Sequence, residues 1–133
     1  MNTQVLILQI YETFNKRDID GTLALMSEEV SWPKASEGGR VVGKQAIREY
    51  WTRQWAEFDP LVNVLEVINR EGGVTDVKVH QLVKDLKGSI LSDTELWHVY
   101  SFTDGLIDRM EIKENEGTLE GVSTAFSRAK HAT

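Results

Sequence analysis

Two side chains in this sequence could polarise or move charge in a small-molecule site, His98 and Lys34. An imidazole titrates near neutrality, so His98 can serve as acid, base or hydrogen-bond donor. A lysine ammonium has no lone pair to take a proton, but its charge complements a developing oxyanion. Together they suggest a reaction in which Lys34 polarises a carbonyl while His98 moves a proton. His98 belongs to the alternating run Leu96-His98-Tyr100-Phe102, a pattern that places His98 and Tyr100 on one face of a strand. His80 alternates with Asp76 and Lys78 and reads as outward-facing. His131 lies in the last few residues and suggests no chemistry.

Several chemistries are excluded. Cysteine is absent from the 133 residues, which removes disulfides, thiolate nucleophiles and cysteine-ligated zinc. The three histidines show no ligand spacing, and neither HExxH nor a carboxylate pair accompanies them, so no metal is expected. No GxGxxG or phosphate-cradling glycine loop occurs, and no cofactor is expected. A net charge of −6 with scattered basic residues opposes binding to nucleic acid. No apolar run approaches the ~18–20 residues of a bilayer span, and Val5 to Ile10 lacks the flanks of a signal peptide. The expectation is a cytoplasmic protein whose partner is a small hydrophobic molecule.

The elements that would position these residues follow from periodicity. Val5, Leu6, Leu8, Ile10, Tyr11 and Phe14 form an apolar stripe that predicts a helix over about residues 3–16. Asp18 is placed to cap a second short helix running through Leu23, Leu25 and Met26. Glu29 to Trp32 reads as a strand ended by Pro33. Ile47, Tyr50, Trp51, Trp55 and Phe58 recur at three and four residues, predicting a third helix from Lys44 to Phe58, stopped before Pro60. Beyond it the period becomes two, giving strands around Val62–Ile68, Val77–Val83, Leu96–Phe102 and Leu106–Lys113. Glycine-bearing turns separate them. A final helix is expected over Asn115 to Ala129, weakened by Gly117 and Gly121. At 41% hydrophobic and 27% charged residues, the whole span 1–133 reads as one α+β domain.

Three stretches carry a family resemblance. Tyr11-Glu12-Thr13-Phe14-Asn15-Lys16-Arg17-Asp18-Ile19-Asp20 resembles the junction of the first two helices in SnoaL-like proteins of the nuclear transport factor 2 superfamily. Gly43-Lys44-Gln45-Ala46-Ile47-Arg48-Glu49-Tyr50-Trp51 is similar to the start of their third helix. Trp97 to Ile107 is similar to their final hairpin. The resemblance implies a cone-shaped, curved, mostly antiparallel sheet enclosing a pocket with N-terminal helices, and a homodimer through the outer face. It also implies a choice between cofactor-independent isomerases, cyclases or hydrolases and non-catalytic binding modules or dimeric scaffolds.

Matching family templates tests the enzyme readings. Against ketosteroid isomerases, whose chemistry needs an aspartate base, a tyrosine and a second, protonated acid, the matching positions here hold Lys34, Ile10 and His98. Tyr11 falls one residue out of phase. Cyclase-type acid–base groups on the last strand would fall at Met110 and Ile112, which transfer no proton, while Arg109 and Glu111 have outward parity. The epoxide hydrolase cluster finds no counterpart. The pocket implied by the resemblance would then be lined by Ile10, Phe14, Trp32, Tyr50, Trp51, Gln81 and Tyr100, with His98 and Lys34 as its reactive pair. Trp51 and Trp55, one turn apart, share a face and read first as core. Trp97 has the opposite parity to His98 and is expected on the outer, dimer-forming surface.

Overall fold

The computed structural model describes residues 3–114, so the helix expected over 115–129 lies outside the described residues. The chain runs α1 (Thr3–Asn15), α2 (Ile19–Leu23), β1 (Met26–Pro33), β2 (Arg40–Val42), α3 (Lys44–Glu57), β3 (Phe58–Asn69), β4 (Thr75–Asp85), β5 (Ile90–Thr103) and β6 (Leu106–Glu114). The six strands form one sheet in the order β2-β1-β6-β5-β4-β3. Every neighbouring pair is antiparallel except β1 and β6, which run parallel. Register shifts interrupt four of the five pairings. Such irregularities bend strands and deepen their twist, which curls a sheet toward one face. The helices pack on that concave face, and the α+β class expected from the sequence is the one observed.

Local chemistry explains the boundaries. In α1 the buried positions are Leu6, Ile7, Ile10 and Tyr11, one face at helical period. Val5 and Leu8 are exposed instead of joining the apolar stripe. Asp18 caps α2 by accepting from the Gly21 amide at 2.9 Å. That helix stops at Leu23 rather than continuing through Met26, because Met26 already pairs with Ile107 of β6. Phe58 lies past the end of α3 in extended backbone and begins β3. Pro60 is tolerated within β3 because this strand is the sheet edge. The short strand β2 was not legible as a strand; only three residues long, it is held on β1 and carries Arg40. The Arg40 guanidinium donates to the Ser31 carbonyl at 3.1 Å and to the Met110 carbonyl at 2.5 Å, bridging β1 and β6 where their register shifts.

The edge strand β3 is anchored to the helices by side chains. The Asn15 amide donates to the Val62 carbonyl at 2.8 Å, and the Val62 N–H donates back to Asn15 Oδ1 at 3.0 Å. This pair imitates one rung of a strand ladder at an otherwise open edge. Arg17 reaches the same strand, donating to Asp59 and to the Pro60 carbonyl at 2.8 Å. Replacing Asn15→Ala removes both bonds and leaves two strand groups unpaired. It should cost about 1–3 kcal/mol in urea-induced unfolding. Asn15→Asp, which keeps only the acceptor, should fall between wild type and alanine.

Candidate functional site

A cavity opens between the concave sheet face and the helices. Its helical wall is Ile10, Tyr11 and Phe14 of α1 with Tyr50, Trp51 and Gln54 of α3. Its sheet wall comes from Trp32 of β1, Gln81 of β4, His98 and Tyr100 of β5, and Met110 and Ile112 of β6. Strand alternation explains the sheet wall. Residues two apart face the same way, so His98 and Tyr100 look inward and Trp97 and Val99 do not. The volume open to the centre of a water-sized molecule is about 60 Å³, against roughly 10–15 Å³ needed for one water. By that measure it holds roughly four to six waters.

The aromatic residues interlock edge to face and in offset stacks. Trp51 meets Trp32 at 5.6 Å with planes at 87°, and stacks on Trp55 at 5.6 Å and 23°. Phe14 sits against both Trp51 and Trp55. Trp51 thus serves both as core, the reading its spacing favoured, and as cavity wall. These rings have little freedom, because each is wedged by at least one other.

Set into this apolar shell is a chain of three polar groups. The Tyr100 hydroxyl donates to the Tyr11 hydroxyl at 2.7 Å, and Tyr11 Oη lies 2.6 Å from His98 Nδ1. So short a contact suits an O–H donor to a ring nitrogen better than an N–H donor to oxygen. Tyr11 is on that ground assigned as the donor to Nδ1, an assignment that leaves the imidazole proton on Nε2. Burial drives His98 down to about 3 and Tyr100 upward. Tyr11 is raised well above its ordinary value, first by burial and then by Tyr100. All three groups are uncharged at neutral pH. Among the described residues no Asp, Glu, Lys or Arg lines the cavity.

Other polar groups face the same space. Gln81 and Gln54 are each 6% exposed, and their side-chain amides bond to none of the described residues. His98 Nε2 likewise has no polar partner among the described residues. Tyr50 differs, since its hydroxyl is held by the Ser36 amide and hydroxyl, both at 3.0 Å.

Seven expected ligand-contacting residues, Ile10, Phe14, Trp32, Tyr50, Trp51, Gln81 and Tyr100, surround one cavity together with His98. Lys34 is not among the lining residues, although its neighbours Pro33 and Ala35 are. It opens a tight turn whose Glu37 and Gly38 amides donate to its carbonyl, and its ammonium lies 3.7 Å from Glu37. The structure therefore does not bring Lys34 into the lining beside His98, where the expected pairing around one carbonyl would need it. Tyr11, set aside as out of phase, is the central member of the polar chain. On a helix, positions 10 and 11 share one broad face, so both reach the cavity. Gln54 was also missed; an amide one turn beyond Tyr50 and Trp51, on a buried helix face, was the available signal. His80 is outward and bonded to Asp93, and Arg109 pairs with Glu111 outside the cavity. Among the described residues no cluster of potential metal ligands occurs.

A search of curated protein sequences returns no match. TerC, co-crystallised with polyporic acid, is 25% identical at a TM-score of 0.72, over 90% of this chain and 95% of that one. An NTF2-like protein of unknown function from Burkholderia pseudomallei is 19% identical at 0.77, over 96% and 98%. A Mycobacterium tuberculosis protein in complex with estradiol-17β-hemisuccinate is 19% identical at 0.73, over 84% and 92%. The last two speak for the fold alone. The family model described as SnoaL-like domain matches residues 7–110, from the first helix into the sixth strand. The chain belongs to the SnoaL-like family of the nuclear transport factor 2-like superfamily.

Proposed function

We propose that this protein binds a compact, oxygen-bearing ring compound of carbonyl or phenol type in the cavity of its concave face. The observation that carries this reading is the set of three polar groups, His98 Nε2, Gln81 and Gln54, that line an apolar cavity without a bond to any other described residue. Polar groups at the wall of an apolar cavity bond to water or to a ligand, and three facing one space favour a ligand that satisfies them together. Trp32, Trp51 and Tyr100 supply ring faces for stacking, and Ile10, Phe14 and Tyr50 complete the apolar enclosure. That TerC and the M. tuberculosis protein carry small organic ligands on the same scaffold supports the reading.

A non-catalytic binding role fits the electrostatics better than general-base catalysis. An imidazole held near 3 is a weak base, and the tyrosines are held away from ionisation. Cofactor-independent isomerase or cyclase activity is the second reading, favoured by the unpaired His98 Nε2. It would appear as wild-type turnover of a bound ketone that His98→Gln abolishes. The protein is taken to act in the cytoplasm as a homodimer through the outer sheet face, where Trp97 lies beneath Lys78 Nζ; sedimentation of wild type and Trp97→Ser would test the association.

Thermal-shift measurement with cyclohexanone, phenol and p-benzoquinone tests the binding reading directly. Binding to the native state alone should stabilise it by about 2.7 kcal/mol at a hundredfold excess over Kd. Gln81→Leu should weaken the same ligand roughly tenfold or more by removing a hydrogen-bonding amide. No stabilisation by any of the three would reject the reading.

Burial of His98 also sets a pH dependence. Its folded value is below the unfolded one, so its contribution to stability is complete above about 6.5 and is lost as pH falls toward about 3. Between pH 6.5 and 5.0 the unfolded chain takes up a proton that the folded chain refuses. Wild type should lose about 1.6 kcal/mol more than His98→Gln over that interval in urea unfolding. Equal losses would show that His98 is protonated in the folded state.

A further inference from the structure

We propose that Tyr100, Tyr11 and His98 form a reversible donor–acceptor relay that matches uncharged ketones and phenols alike and discriminates against anions. The inference rests on the cavity-binding reading and specifies its ligand class. In the arrangement described, Tyr100 O–H donates to Tyr11, Tyr11 O–H donates to His98 Nδ1, and Nε2–H is left to donate to a carbonyl oxygen. Reversing the chain keeps every protein–protein bond. His98 Nδ1–H donates to Tyr11 Oη, Tyr11 O–H donates to Tyr100 Oη, and Nε2 presents a lone pair to a phenolic O–H.

The interchange balances without creating charge. Two hydroxyl protons rotate, and the imidazole proton leaves Nε2 for Nδ1 by exchange with solvent, so the count of protons on the three residues is unchanged. A hydroxyl can give or accept, and each imidazole nitrogen can do either, which is why the chain can run in both directions. A serine or an amide locked by backbone bonds could not do this. Gln81 and Gln54 extend the same ambivalence, because a free amide carries both a donor and an acceptor. By contrast, an anionic ligand would meet no positive charge among the described lining residues. It would lose its hydration to an apolar enclosure that offers only neutral dipoles in return. The depressed value of His98 is consistent with this, since protonating it to welcome an anion is opposed by burial.

The test uses the whole chain with ¹⁵N-labelled histidine, followed by NMR at pH 7 with cyclohexanone, phenol and benzoate as probes. With cyclohexanone, His98 should show the Nε2–H tautomer. With phenol, Nε2 should move toward the resonance of an unprotonated, hydrogen-bonded nitrogen as Nδ1 gains the proton. Benzoate should bind at least tenfold more weakly than either. Tyr100→Phe removes the acceptor that the reversed chain needs for Tyr11 O–H, so it should weaken phenol about tenfold more than cyclohexanone. One fixed tautomer with both neutral probes, or benzoate binding as tightly as phenol, overturns the relay while leaving the cavity-binding reading intact. If neither neutral probe binds, the relay and the binding reading fall together.

Discussion

The hydrogen bond between Tyr11 of α1 and His98 of β5 joins residues 87 positions apart in the middle of the molecule. Almost everything else can be understood as what this contact requires. Two polar side chains can lie so deep only if they satisfy each other, and Tyr100 completes the set. The sheet must curl far enough to bring β5 under the first helix. The third helix must close the other side with its tryptophans, so that water does not compete for the same groups. Removing any of the three partners would leave a donor or acceptor in a low-dielectric interior, where an unmade bond is expensive.

A consequence is the separation of charge from the cavity among the described residues. The ion pairs lie on the outer surface or at the rim: Lys78 with Glu95, His80 with Asp93, Arg48 with Asp20, Arg53 with Glu37. Pairs so exposed add little to stability. The cavity is built instead from stacked rings and neutral dipoles, whose positions are fixed by packing rather than by attraction between charges. A family scaffold that can host acid–base chemistry is here furnished with groups that resist ionisation.

Much of this was legible in the sequence where a strict period applied. Alternation along Leu96-His98-Tyr100 and along Val77-Val79-Gln81-Val83 identified the inward faces, because a strand permits only two orientations. The helical spacing of Ile47, Tyr50 and Trp51 did the same for α3. Legibility failed where geometry is not periodic. Lys34 sits beyond the last strand residue, in a turn whose direction depends on Gly38 and Gly39, both with positive φ. Phe58 ends one helical stripe and begins a strand, and both patterns fit it. Tyr11 was missed for another reason: a helix face is broad, and comparison with one family template sampled a single position on it.

The parallel union of β1 with β6 has a bearing on how the protein is made. Ser31 ends up beside Arg109, 78 positions further along the chain, with α3 and four intervening strands between them. Contacts of such sequence separation close late, because the loop entropy falls due before the pairing rewards it. A ribosome-bound chain therefore carries β1, with Val30 and Trp32, as a strand with one open flank until β6 has emerged. Neither Met110 nor Ile112 is present to seal the chamber before then, so a partly synthesised polypeptide has no compartment in which to hold a guest.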